Sequence, residues 1–363
     1  MGGGPPKDHL LIALPLPEPT PLLNTLRHAF PEIEITYHQT DPTSPPSPSI
    51  FAHTTILCTF STLPPNPTTD SPHLTWLHLF SAGSNHIQHH PIYTSSSIPI
   101  TTSSGIHGPT IAEWVILTRL VQSRRYNALH ELQKRHDWDA SKAHLGGVRD
   151  QVGGTLGVLG YGSIGRQVGR VAAGMGMRVL AYTASPKETP EQRRDKGFVV
   201  PGTGDVEGQI PEGWYSGLGK GELRDFLGRG LDWLVVCVPL TEETRGFLGR
   251  GEFEVLREGN DRVGSGRGVF VTNVARGQIL DQEALVEALK DGTLVGAALD
   301  VTDPEPLPRE SELWDLENVV VTPHVSGNAV AYEERAFKVL EVNLKRREEG
   351  EDLINVVKRE RGY

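Results

Sequence analysis

Residues 155–183 read TLGVLGYGSIGRQVGRVAAGMGMRVLAYT. The opening apolar run, TLGVL, has the length of a buried strand and is too short for a helix. It ends in Gly160-Tyr161-Gly162-Ser163-Ile164-Gly165; a segment with helical apolar spacing follows, and then a second apolar run, RVLAYT. Strand, glycine turn, helix and strand make a βαβ unit, which predicts a parallel sheet. In that setting the GxGxxG spacing carries chemistry. Gly160 permits a tight turn, Gly162 lets backbone approach a pyrophosphate, and Gly165 lets helix and strand pack closely. Phosphates would rest on the helix N-terminus, where free N–H groups and the helix dipole favour negative charge. All six turn residues are therefore candidate dinucleotide contacts.

Working outward, the same alternation continues downstream. LDWLVVCVPL (231–240), GVFVTNVARG (268–277) with the helix DQEALVEALKDG (281–292), VGAALDV (295–301) and NVVVTPHVSG (318–327) read as strands and a helix of one sheet. Upstream, HLLIALPL, EIEITYH, TTILCTF and LTWLHLFSAG read as strands, with a helix over 21–30. The Pro/Ser/Thr-rich stretches DPTSPPSPS and LPPNPTTDSP are loops. Residues 108–135 contain no internal proline after the first turn and no internal glycine, and predict one long helix crossing into a new domain. The segment 329–350 is helical, and the short tail DLINVV follows it. The expected architecture is α/β, with two doubly wound parallel-sheet domains: 1–108 with 330–363, and 109–329. Two glycine-rich stretches, 201–222 and 257–268, show no periodicity and are expected to be surface loops.

The 363 residues suffice for about two domains. A hydrophobic content of 37% excludes a disordered chain, and a net charge of −10 without Lys/Arg runs argues against nucleic-acid or anionic-membrane partners. Cys58 and Cys237 lie in apolar runs and read as small buried hydrophobes, so no disulfide framework is expected. The proline-broken N-terminus does not read as a signal peptide, and no apolar run reaches membrane-helix length. A soluble, cytoplasmic protein is expected.

The strand RVLAY ends at Tyr182 and is followed by Thr183, Ala184, Ser185, Pro186 and Lys187. An NAD-specific site usually places a carboxylate here for the ribose 2′-OH. No carboxylate occurs before Glu188, so hydroxyls and Lys187 favour NADP(H), with NAD(H) possible.

Three later strands each end in an ionisable residue: Arg276 in TNVARG, Asp300 with Glu305 in ALDVTDPEPLP, and His324 in TPHVSG. In doubly wound sheets the C-terminal strand ends border the ligand crevice. Arg is suited to bind a carboxylate in bidentate fashion and to polarise a ketone oxygen. His can give the alkoxide its proton, and a neighbouring Glu would set the His tautomer. Reduction of a 2-oxo acid, with Arg276, Glu305 and His324 as the catalytic set, is the reaction these types fit.

At this point the chain resembles the D-isomer-specific 2-hydroxyacid dehydrogenase family. The resemblance runs from about residue 80 to 328 and is strongest at GYGSIG, NVARGQILDQEALVEAL, GAALDVTDPEPLP and TPHVSG. It implies a Rossmann cofactor domain and a smaller flavodoxin-like substrate domain completed by the C-terminal helix. It carries the Arg, Glu and His roles onto Arg276, Glu305 and His324, and implies that Asp300 helps to hold the nicotinamide carboxamide. Thr110, Val238, Pro239, Val274 and Ala275 would border the cofactor. Ala82, Gly83 and Ser84 in FSAGSNHI, with Arg276, would bind the substrate carboxylate. The LDVTDPEPLP and YTASP stretches are similar to the glyoxylate/hydroxypyruvate reductase branch, which often carries an Arg at the turn where this chain has Ser185. A homodimer built through the 111–135 region is also implied.

A non-catalytic dinucleotide sensor on the same fold is the main alternative. The intact Arg, Glu and His set argues against it. Formate oxidation would need no Glu–His acid pair. His73, His78, His86, His89, His90 and His107 show no metal-ligand spacing and read as structural or surface residues; Trp138 reads as either pocket border or helix-end packing.

Overall fold

The structure, a computed structural model, describes residues 8–41, 43–143, 145 and 148–362. It forms two compact units. One contains the residues up to Ile106 together with those from Val330, and the other is His107–Ala329.

The first unit runs β1 (His9–Leu14), α1 (Thr20–Ala29), β2 (Glu34–Gln39), β3 (Ile56–Thr59), α2 (Pro67–Asp70), β4 (Trp76–Leu79), α3 (Pro91–Thr94) and β5 (Ile100–Thr102). Its sheet has the order β2-β1-β3-β4-β5 with every pair parallel, a doubly wound arrangement of flavodoxin type. β3 and β4 are buried along their whole length, as expected of strands covered on both faces. The helix Tyr332–Glu348 belongs to this unit. It opens with Glu333 and Glu334 and closes with Lys345, Arg346 and Arg347, matching charge to the helix dipole. Arg347 pairs with Asp8 just before β1, and the Tyr332 hydroxyl donates to the Phe80 carbonyl at 3.0 Å.

The second unit runs α4 (Gly108–Ser123), α5 (Tyr126–Lys134), β6 (Thr155–Leu159), α6 (Ser163–Gly174), β7 (Arg178–Thr183), α7 (Pro190–Arg193), β8 (Gly213–Ser216), α8 (Lys220–Leu227), β9 (Trp233–Val236), α9 (Arg250–Val263), β10 (Phe270–Asn273), α10 (Gln282–Lys290), β11 (Gly296–Leu299) and β12 (Val319–Val321). The sheet order is β12-β11-β10-β9-β6-β7-β8, all parallel. The order reverses between β6 and β9, so the switch-point crevice opens at the C-terminal ends of these two strands. One face of the sheet packs on Leu223, Phe226, Phe253, Leu256 and Leu285 from α8, α9 and α10. The other packs on Ile111, Val115, Val168 and Ala172 from α4 and α6.

Three expectations are corrected. The predicted 108–135 helix is two helices, because Arg125 adopts a left-handed backbone with φ 55° between them. The glycine-rich stretch 201–222 is not all loop: it contains the edge strand β8 and the start of α8. Within it the buried Asp205 accepts from the Tyr161 hydroxyl at 3.0 Å and from the Gln209 and Ile210 amides. The stretch 257–268 is helical through Val263, and its buried Asn260 donates to Leu231 O and to Asp232 Oδ1, both at 2.9 Å.

Candidate active site

The glycine turn between β6 and α6 shows why each glycine stands where it does. Gly160 has φ +102°, and a Cβ there would lie 2.7 Å from the backbone of Cys237 and Val238 at the end of β9. A Cβ on Gly165 would collide with the Gly160 carbonyl and lie 2.7 Å from Val158 Cγ1. Gly162, at the N-cap of α6, faces open space. No side-chain cap bond is made at this helix start, which leaves its first N–H groups suited to an anion. Tyr161 is buried; desolvation first, and then Asp205, push its hydroxyl well above the ordinary range, so it serves as a neutral donor. Ser163 and Ile164 begin α6.

At the end of β7 the Thr183 hydroxyl donates to the Ser185 carbonyl at 2.8 Å and closes the turn. Beyond it lies a cavity of about 400 Å³ lined by Pro186, Lys187, Glu188, Arg193 and the β8 residues Trp214, Tyr215 and Ser216. The Arg193 guanidinium is held by the Lys187 carbonyl at 2.9 Å and lies over the Trp214 ring. Arg193 and β8 were not foreseen as site residues. The only sequence signal for either was the Pro-Glu-Gln-Arg turn after Thr189, whose capping box marks a helix start. Val238 is half-buried and Pro239 exposed after β9; the Pro239 carbonyl accepts from the Thr244 hydroxyl at 2.7 Å. Thr110 lies in the first turn of α4.

At the C-terminal ends of β10, β11 and β12 the ionisable residues stand in one neighbourhood. Nδ1 of His324 lies 2.7 Å from Oε1 of Glu305. The Arg276 guanidinium is buried enough that desolvation lowers its pKa, an effect opposed by the charge of Glu305. Its Nη1 donates to the Ala275 carbonyl at 2.6 Å. Val274 and Ala275, which precede it in the chain, are buried. Gly277 makes the approach possible: a Cβ there would overlap the Thr302 carbonyl, so only glycine lets the turn after β10 touch the loop bearing Glu305.

Asp300 is buried and its carboxylate accepts four hydrogen bonds. Thr322 Oγ1 at 2.6 Å and the Val325 amide at 2.8 Å reach Oδ1, while the Ser326 amide at 2.9 Å and the Ser326 hydroxyl reach Oδ2. A carboxylate offers about four lone-pair sites, so its capacity is filled from within the protein. The donors bracket His324, whose backbone has φ 54°, a conformation β-carbon-bearing residues adopt only when surroundings impose it.

In the first unit, Ala82 and Gly83 are half-exposed and Ser84 is buried, on the loop following β4. Ser81 Oγ donates to the Gly83 carbonyl at 2.8 Å, and the Ser103 amide to the Ser81 carbonyl at 2.9 Å. His78 is fully buried between Thr101 Oγ1 (2.8 Å) and Ser103 Oγ (3.3 Å), and His90 caps α3. Trp138 is fully exposed. Among the described residues no group of three or more His, Cys, Asp or Glu is arranged to hold a metal, and no helix is long and apolar enough to cross a membrane.

Comparison with known proteins follows the same lines. Residues 116–201 and 217–326 match the NAD binding domain of the D-isomer specific 2-hydroxyacid dehydrogenases. Glyoxylate reductase of Korarchaeum cryptofilum is 29% identical over 270 residues, 74% of this chain and 71% of that protein. Glyoxylate reductase of Thermococcus kodakarensis is 31% identical over 235 residues, 64% of this chain and 60% of its own length. The crystal structure of an NADPH-dependent glyoxylate/hydroxypyruvate reductase from Sinorhizobium meliloti, in complex with NADP and sulfate, superposes with a TM-score of 0.72 at 27% identity, covering 98% of this chain and 100% of that one. The chain belongs to the D-isomer-specific 2-hydroxyacid dehydrogenase family, in the branch that holds the glyoxylate and hydroxypyruvate reductases.

Proposed function

We propose that this protein reduces a small 2-oxo acid to the D-2-hydroxy acid, using Arg276, Glu305 and His324. The observation that carries the reading is the 2.7 Å His324–Glu305 pair standing with the half-buried Arg276 at the carboxyl ends of adjacent strands. A nicotinamide dinucleotide, when bound, supplies the hydride. The residues fit that group: the α6 N-terminus is open at Gly162, and the strand order switches beside it.

Arg276 binds the substrate carboxylate and polarises the ketone oxygen. With Nδ1 of His324 engaged by Glu305, the proton leaves from Nε2 to the developing alkoxide. Glu305 holds the ring in the Nδ1–H form that remains. In the reverse direction the same nitrogen accepts the proton. The loop carrying Ala82, Gly83 and Ser84 is proposed to offer backbone N–H groups to the carboxylate.

NADP(H) is the proposed preferred cofactor. Lys187 and Arg193 line the cavity beyond β7, where Glu188 is the one carboxylate, and the relative from Sinorhizobium meliloti is NADPH-dependent. We further propose a cytoplasmic homodimer formed through α4 and α5. Leu117, Tyr126 and Trp138 expose between half and all of their surface in this region, apolar area that a second copy would cover.

The test is consumption of NADPH or NADH with glyoxylate, hydroxypyruvate, pyruvate and phenylpyruvate. Turnover of any of them, lost in His324→Ala, supports the reading. Tight dinucleotide binding with no turnover of any 2-oxo acid overturns it in favour of a sensor.

A further inference from the structure

The last described residues of the chain are bound to the same loop that the functional reading assigns to the substrate. After the helix Tyr332–Glu348 the chain runs antiparallel along the free edge of β5. Val356 forms a bridge with Thr101, the Val357 amide donates to Ile100 O at 2.8 Å, and the Thr102 amide donates to Asn355 O at 3.1 Å. Asn355 Nδ2 returns bonds to the carbonyls of Thr102 and Ser104, at 3.1 and 2.8 Å. Val357 is buried in the cluster that contains Ile87, Ile92, Tyr93 and Ile100. This pairing closes a sheet edge and fixes where the tail leaves it.

Beyond Val357 the contacts shift from the sheet to the segment 84–98. Arg359 donates to the carbonyls of Ile92 at 3.3 Å and Ile98 at 2.5 Å, and its own carbonyl accepts from the Tyr93 hydroxyl at 3.5 Å. The Gly362 carbonyl then accepts from Gln88 Nε2 at 3.1 Å and from Ser84 Oγ at 3.4 Å. Ser84 and Gln88 bracket the single 3-10 turn Asn85–Ile87. One acceptor on the tail therefore ties both ends of that turn. Gly362 reaches this position with φ +78°, which glycine adopts without strain.

A loop is a poor binder of a small anion unless its N–H groups are already aimed, since ordering it on binding costs affinity. We infer that Arg359–Gly362 is a strap that sets the conformation of the loop 82–88, and through it the affinity for the 2-oxo acid. Arg359 and Gln88 are positioning residues: they act through the loop. The inference rests on the assignment of Ala82–Ser84 to the substrate carboxylate.

The test uses Gln88→Leu and Arg359→Met in the full chain, with thermal unfolding to verify that both fold. Two measurements are made. The first is hydrogen exchange of the Ile87, Gln88 and His90 amides in the free protein, all of which are bonded within this turn or its continuation. The second is KM for glyoxylate and for NADPH. The strap predicts faster exchange at these amides, a KM for glyoxylate raised roughly fivefold to tenfold, and an unchanged KM for NADPH. Unchanged exchange in both variants overturns the strap itself. Faster exchange with an unchanged KM for glyoxylate overturns the proposal at its base, by removing the loop from the substrate site.

Discussion

The amide of His324 donates to the carbonyl of Asp300 at 2.9 Å, and the Asp300 side chain takes four further donors from residues 322, 325 and 326 on either side of it. Asp300 thus holds the left-handed backbone of the proposed proton donor. In Asp300→Asn one oxygen becomes an NH₂ group that faces donors. Stability should fall by about 1–3 kcal/mol and kcat by more than tenfold. Equilibrium binding of dinucleotide separates this role from a contact to the nicotinamide carboxamide. If affinity falls as much as kcat, Asp300 acts on the cofactor and the positioning argument fails.

Glu305→Gln keeps the size of the side chain and removes its charge from beside Nδ1 of His324. The expected loss in kcat for reduction is on the order of 10- to 100-fold, with dinucleotide affinity nearly unchanged. Equal turnover by the variant would show that Glu305 is a surface partner of the imidazole and nothing more.

Arg276→Lys keeps a cation but loses the planar pair of donors. KM for the 2-oxo acid should rise about tenfold or more. Unaltered steady-state kinetics would sink the bidentate argument.

Gly277→Ala places a methyl group where the Thr302 carbonyl already sits. No side chain can move aside, because the obstacle is backbone. The loop bearing Glu305 must separate from the turn bearing Arg276, at a cost of about 3 kcal/mol or more. Thermal unfolding measures it; a midpoint within about a degree of wild type would contradict the contact.

Burial lowers the His78 imidazole from its ordinary 6.5 to about 3. Between these values the unfolded chain takes up a proton that the folded chain refuses. This contribution to stability is therefore full above pH about 6.5 and is lost as pH falls toward about 3, by at most about 1.4 kcal/mol per pH unit. Denaturant titrations from pH 7 to 4 should show a shallower decline in His78→Gln than in wild type. Parallel declines would place the acid sensitivity elsewhere.

The cofactor end has its own check. Lys187→Glu should raise KM for NADPH about tenfold while leaving that for NADH little altered, since a carboxylate repels a 2′-phosphate and accepts from a 2′-hydroxyl. Equal effects on both would remove Lys187 from the ribose site.

Much of this protein is legible along the chain. The turn Gly160–Gly165 between two apolar runs specifies βαβ, because local spacing encodes elements and glycine encodes close approach. The residue types of Arg276, Glu305 and His324 suit the proposed carboxylate-binding acid–base site for the same reason: chemistry restricts which side chains serve. Other features depend on partners distant in sequence. The break at Arg125 carries no proline or glycine to announce it. β8 is a four-residue edge strand beginning at Gly213, with no alternation to read, and it exists because β7 offers it a ladder. The filled carboxylate of Asp300, the glycine required at 277 by the Thr302 carbonyl, and the attachment of Gly362 to Ser84 and Gln88 are likewise decided in three dimensions. A hydrogen bond or a steric limit depends on distance in space, and only the folded chain sets that distance.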